Sequence, residues 1–440
     1  MRFFSLHQLG LLTLGIFVSG FSVTSAFGQE VSTVHELQRI IEAQQKQLEM
    51  QQKQLDEQRQ LMQELQSQVN TLAEDSKTTV QVPAQAEGAR TTPPAPVEKV
   101  VTSGGGERVK LSISGHVNRA IQVRDDGERT DTYFVDNDNS ESQVRFVGTA
   151  KANEDLTLGT EIEVSIAPNI SGQVDQRNQE TNNVFDERKV EITLESKRYG
   201  KLWLGKGYTA SYTTSAVDLS RTTTISYSTI VDLAGSMLFR NSDDGTLTDV
   251  RIFNAFNSFD GLNRRNRLRY DLPKFGGFHL AATAVSDNRY DAALRWGGQG
   301  YGFKVAWAAA IADPNEDNAD LQYDGSAAVL HEDTGLNLSV SFGMLDRDNQ
   351  QDPQNYFAKI GWLRRFFSVG ETAFSVDYTR SLNLPTERDD AYSISAAAVQ
   401  QFDKFGAEVF AGYRLHSLDR DIEPDVEDIS VVSVGTRVNF

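Results

Sequence analysis

The sequence predicts an all-β protein, a sixteen-stranded antiparallel transmembrane β-barrel that follows an α-helical coiled coil. Three observations carry that expectation. Short segments of alternating polarity recur from Lys110 onward, tight turns and longer polar connections take turns between them, and the chain stops on an aromatic residue, Phe440. In the last segment Val432, Val434, Thr436, Val438 and Phe440 share one face, and Val431, Ser433, Gly435, Arg437 and Asn439 the other. Period-2 alternation marks a strand with unlike surroundings on its two sides. A closed barrel in a membrane supplies both, because lipid covers the apolar face and the first strand pairs the last one's edge.

Before the barrel come three elements. Leu9 to Phe21 is the only long apolar run; it follows Arg2 and ends near Ala26-Phe27-Gly28, so residues 1–28 read as a secretory signal peptide. The run is shorter than the roughly 20 residues of a spanning helix. Residues 29–75 read as a coiled coil. Val34, Ile41, Leu48, Leu55, Met62 and Val69 hold one heptad position, and Leu37, Gln44, Gln51, Gln58, Leu65 and Leu72 its partner. The rod would be on the order of 60 Å long. Its glutamine layers favour three chains whose amides meet across the core, with a dimer also open. Residues 76–109 carry Pro83, Pro93, Pro94, Pro96 and Gly104-Gly105-Gly106, the composition of a flexible linker.

The barrel domain, residues 110–440, is expected to turn tightly at Ala152–Asp155, Ser196–Gly200, Pro273–Gly277, Gly297–Gly300, Glu332–Gly335, Arg364–Gly370 and Asp403–Gly406, with mostly longer acidic loops at the other end. Seven such turns join fourteen strands, and the first and last make sixteen, an even number as outer-membrane barrels have. Tyr290, Trp296, Tyr301, Tyr356, Trp362 and Tyr413 fall near strand ends, where interfacial aromatics belong. One connection, about 208–263, is too long for a simple loop and is expected to fold inward as a constriction, with a short strand at Val250 to Phe256.

Composition bounds the function. A net charge of −18 speaks against nucleic-acid binding, and the absence of cysteine excludes disulfide scaffolds and thiolate metal sites. The six histidines show no metal-ligand or base–nucleophile spacing, so no catalytic site and no cofactor is expected. Acids crowd into segments such as Asp125-Asp126-Gly-Glu128, Asp313-Pro-Asn-Glu316-Asp317 and Asp419-Arg-Asp421-Ile-Glu423. These fit solvated outer loops, and they could hold divalent cations bridging lipopolysaccharide.

Parity then assigns the lumen. If Leu268, Tyr270 and Leu272 face lipid, Arg265, Arg267, Arg269 and Asp271 face inward, and the same rule places Arg145, Arg295, Lys304, Lys359 and Arg414 inside. Guanidinium forks suit carboxylate or phosphate, and charged rings bias a water-filled pore toward anions. Glu161, Glu163 and Glu191 also face inward, and the loop acids Asp243, Asp244 and Asp249 could neutralise the arginines.

The signal peptide, heptad stalk, Pro/Gly linker, long mid-barrel loop, the segment Asn266-Arg-Leu-Arg-Tyr-Asp-Leu-Pro-Lys-Phe-Gly-Gly-Phe278 and terminal Phe440 together resemble the DcaP-like trimeric porins. The resemblance implies a sixteen-stranded homotrimer in the bacterial outer membrane, with its coiled coil in the periplasm and an inward third loop. It also implies passage of small anions such as dicarboxylates, and makes Phe440 the residue read by the outer-membrane assembly machinery. A phosphate-selective porin is the alternative, disfavoured by the lumenal glutamates. A structural anchor, whose stalk meets peptidoglycan or another periplasmic partner, is a third reading.

Overall fold

The computed structural model describes residues 99–101, 109–181, 185–316 and 319–440. The expected signal peptide and coiled coil, and most of the linker, lie outside the described residues. Most of what is described forms one closed antiparallel sheet. Its first five strands are Val109–Asp125, a second strand in two pieces (Thr130–Asp136 and Gln143–Lys151), Leu156–Ser165, Asp186–Ser196 and Gly200–Tyr208. After the long loop come Arg264–Asp271, Phe278–Val285, Arg289–Gly300, Phe303–Asp313, Ala319–His331 and Leu336–Arg347. Gln354–Phe367, Gly370–Leu382, Asp390–Phe402, Ala407–Asp419 and Ile429–Asn439 complete the sixteen. Each strand pairs with the next, and the last closes on the first through pairs such as Val117↔Val438 and Val123↔Val432. Phe440 finishes the seam: it exchanges two 2.9 Å backbone hydrogen bonds with Gly115.

The two faces of the wall differ as the alternation requires. Leu336, Leu338, Val340 and Phe342 are exposed on the eleventh strand, while Asn337, Ser339 and Ser341 between them are buried. The sixteenth strand exposes Val432, Val434 and Val438 and buries Val431 and Ser433. In a water-soluble fold this would be inside out; here lipid takes the place of the core. Among the described residues no helix is long and apolar enough to cross a membrane.

Two local expectations are corrected. Gly297–Gly300 is strand, paired with Phe303–Ala306, and the turn falls at Tyr301 and Gly302, both with left-handed φ. Glycine there breaks nothing, because the ladder needs only backbone, and a Cβ on Gly298 would meet the Trp296 ring at 2.8 Å. Arg364 to Phe367 likewise remain in the twelfth strand. Connections at the other end are mostly longer than these turns, as at 166–185, 209–263 and 420–428, though 286–288, with Asp287 and Asn288 at positive φ, is short.

The long loop lies inside the barrel. Ile225, Ile230, Leu233, Met237, Phe239, Ile252 and Phe256 pack on Val399, Phe410, Leu418, Ile429 and Val431 of the fourteenth to sixteenth strands, and this is the main apolar core. Where a strand was expected at Val250 to Phe256, Leu247–Arg251 pairs with Leu238–Arg240 and runs into a helical turn, Ile252–Ala255. At about 1.5–3 kcal/mol per buried side chain, this contact holds the loop as firmly as a small domain core.

Candidate pore constriction

The loop reaches the wall through hydroxyl groups. At its root the Asp291 carboxylate accepts from the backbone N–H of Ala210 and Ser211 (3.2 and 3.0 Å) and from the Ser211 hydroxyl. Further along, Thr214 donates to Asp324, Thr224 to Glu408, and Ser226 to Asp377. Ser and Thr are abundant in this segment because a short hydroxyl lets the backbone approach a wall carboxylate closely. The loop is thereby pinned to strands around half the circumference, and the free lumen lies beside it.

That placement changes the environment of the inward cations. Lys359 points inward but sits beneath the loop, 2.7 Å from Asp218 and 2.8 Å from the Ser226 carbonyl. Arg414 is buried against Asp377 at 2.9 Å. Arg295 donates to the carbonyls of Ala210 and Tyr212 at 2.8 and 2.7 Å and so clasps the loop root. Lys304 lies at a barrel end, 3.0 Å from Glu332 in a tight turn. These four do not line the constriction.

On the second to sixth strands, charges form two groups. In the first, cations and carboxylates alternate: Arg145 with Glu161 (2.8 Å), Glu161 with Lys189 (2.9 Å), Lys189 with Glu163 (3.5 Å), Glu163 with Arg188 (2.8 Å) and Arg188 with Glu141. In the second, Arg267 meets Glu191 at 2.5 Å and Arg269 meets Asp271 at 2.6 Å. Both groups are close to neutral. Arg265 differs: its Nε donates to the Leu262 carbonyl at 3.1 Å, its side chain is exposed, and among the described residues no carboxylate pairs with it. Asp243 and Asp244, expected to oppose the arginines, are instead exposed in a hairpin tip where Asp244 accepts from Thr246 and the Asp243 N–H donates to Asn241. Beside them the Ser242 N–H donates to the Asp425 carbonyl at 3.0 Å, so the tip meets the connection before the sixteenth strand and not the arginines. Asp249 pairs with Arg177 at 3.5 Å, not with the ladder.

A sixteen-stranded barrel with an internal loop and a charged inner wall is thus in place, and sequence comparison decides the family. A family model described as Gram-negative porin matches residues 82–421. The chain belongs to the Gram-negative porin family. It is an outer-membrane channel protein, not an enzyme. Among curated proteins none matches it.

Solved structures agree on the fold of this porin. It is similar to an anion-selective porin from Comamonas acidovorans, with TM-score 0.53 and 14% identity over 76% of this chain and 100% of that one. It is also similar to OmpT of Vibrio cholerae lacking loop L8, with TM-score 0.52 and 12% identity over 76% and 100%. A likeness to the outer membrane channel DcaP of Acinetobacter baumannii has TM-score 0.48 and 10% identity over 77% and 99%, too distant to choose a subfamily.

Two features of the porin's wall escape parity. Arg188 and Lys189 are neighbours, yet both are buried inward, because a bulge opposite Glu163 and Val164 sets one extra residue in the fourth strand. Alternation lapses at Glu187-Arg-Lys189, the one trace of this in the sequence. Tyr208 and Tyr212 at the loop root, with ring centroids 4.6 Å apart, were hidden in a segment that carries no period at all. Outside the spanning strands, Asp126 in the first loop binds Arg240 of the internal hairpin at 2.8 Å. Burial alone would raise its carboxyl, but hydrogen bonds from Arg240 and Gln176 hold it below the usual carboxylate range. Among the described residues no three acids or histidines converge as a metal site.

Proposed function

We propose that this porin is a passive channel of the DcaP-like kind, a homotrimer that favours small anions, dicarboxylates among them. The observation that carries the anion preference is Arg265. Its side chain is exposed beside the loop root and among the described residues has no carboxylate partner, while every other arginine of the ladder is balanced. Planar-bilayer reversal potentials in a salt gradient test it. Arg265→Gln should move the potential toward the cation limit, and an unchanged potential would remove the anion reading. Block by micromolar phosphate but not succinate would favour a phosphate-selective pore.

The trimer is supported by Arg119. It lies on the outer face between Val117 and Ile121, each 51% exposed, and is held by the Pro168 carbonyl at 2.8 Å and Asp136 at 3.6 Å. A lipid-facing arginine costs about 2–4 kcal/mol near the bilayer midplane. Contact with a second protomer would remove that cost. Because the chain has no cysteine, Arg119→Cys can be cross-linked or labelled cleanly. Labelling by a lipid-soluble probe, with no cross-linked oligomer, would place this face in lipid instead. Divalent-bridged lipopolysaccharide at the outer loops, and recognition of Phe440 by the assembly machinery, belong to the same proposal.

A further inference from the structure

We propose that the wall formed by the fourth to sixth strands and the loop root is a subsite for an aromatic carboxylate. This rests on the channel reading above and names a solute class for it. The inward positions of the fifth strand include Trp203, Gly205 and Gly207, and the sixth strand sets Arg269, Arg267 and Arg265 directly opposite them. A Cβ on Gly207 would lie 2.2 Å from the Glu191 carboxylate and 2.7 Å from the Arg267 guanidinium. Glycine is therefore what lets that pair lie flat on the strand. The result is a smooth, electrically balanced strip of wall with aromatic rings at both ends.

Trp203 stands at one end and the Tyr208–Tyr212 pair at the other, about 17 Å apart for five residues of strand. All three rings keep partial exposure. Cations lie over them: Lys189 Nζ is 4.0 Å from the Tyr208 centroid and Lys201 Nζ 3.7 Å from that of Trp203. Arg265, its side chain exposed, lies across from Gly207, one residue from Tyr208, and its neighbour Arg264 lies 5.9 Å from the Tyr212 ring centroid. A planar ring can stack on the tyrosines while its carboxylate takes the Arg265 fork. An aliphatic anion has only the second contact, and a neutral ring only the first. A sugar would meet carboxylates already occupied by arginine and lysine.

The full-length protein in planar bilayers tests this with benzoate, acetate and benzyl alcohol, read as half-blocking concentrations of the potassium chloride current. Benzoate should block at least tenfold below acetate, with benzyl alcohol inert over that range. Tyr212→Ala should shrink the benzoate–acetate gap to under threefold, with Trp203→Leu as the second variant if the first does not assemble. Benzoate and acetate blocking within twofold of each other in the unaltered protein would overturn the aromatic subsite and leave the channel reading standing. Absence of any current would overturn both.

Discussion

Replacing one member of the Arg267–Glu191 pair should change stability and selectivity in ways that only the pair explains. The two side chains are 1% and 2% exposed and 2.5 Å apart. Removing one partner from a buried ion pair costs about 3–5 kcal/mol, mostly the penalty of the charge left behind. Arg267→Met and Glu191→Gln should therefore each lower the thermal transition of the barrel, and the double variant should recover much of the loss. The electrostatic consequence has opposite signs in the two single variants. An ion passing about 8 Å from an uncompensated unit charge, at an effective dielectric of about 20, feels on the order of 2 kcal/mol before salt screening. Arg267→Met exposes Glu191's charge and should shift reversal potentials toward cations. Glu191→Gln should shift them toward anions, and the double variant should return near the starting value. If the single losses simply add, within about 0.5 kcal/mol, the two residues are not coupled and the balanced-wall reasoning fails.

Other outcomes follow from the internal loop. Lys359→Met leaves Asp218 buried without its partner and should cost about 3–5 kcal/mol, while adding Asp218→Asn should restore most of it; no rescue would show that the lysine acts by volume alone. Phe256→Ala empties a side chain 2% exposed in the loop core. It should cost about 3–5 kcal/mol and raise open-channel current noise, and a quiet channel would mean that hydroxyl contacts suffice to hold the loop. Asp126, held below the ordinary carboxylate value, contributes stability that is complete at neutral pH and lost as pH falls below about 4. Hydrogen exchange of Leu238–Arg240 should accelerate there. Asp126→Asn should show the faster rate already at pH 7, and a pH-independent rate in the unaltered chain would refute the link.

What could be read from sequence is what a strand's own period contains. Leu268 and Tyr270 fix the face of Arg267 without knowledge of any other strand, so strand number, faces and closure were legible. Position in the wall is not the same as exposure to the pore, because exposure depends on partners far away in the chain. Asp218 is far from Lys359 in sequence and Glu191 from Arg267, and neither pairing leaves a local trace. The bulge at Arg188 shows the opposite failure, in which one extra residue moves a charge to the other face while the surrounding pattern stays intact. The consequence is physical. An arginine ladder inferred from parity alone suggests a strongly positive wall, whereas the folded chain cancels Arg267 and Arg269 in place and leaves Arg265 exposed at one edge of a neutral, ring-bounded strip. On the proposal above, such a wall would discriminate by the shape around a charge as well as by charge. For that reason selectivity should respond to Gly207, whose missing side chain seats the Arg267–Glu191 pair, as well as to the exposed Arg265.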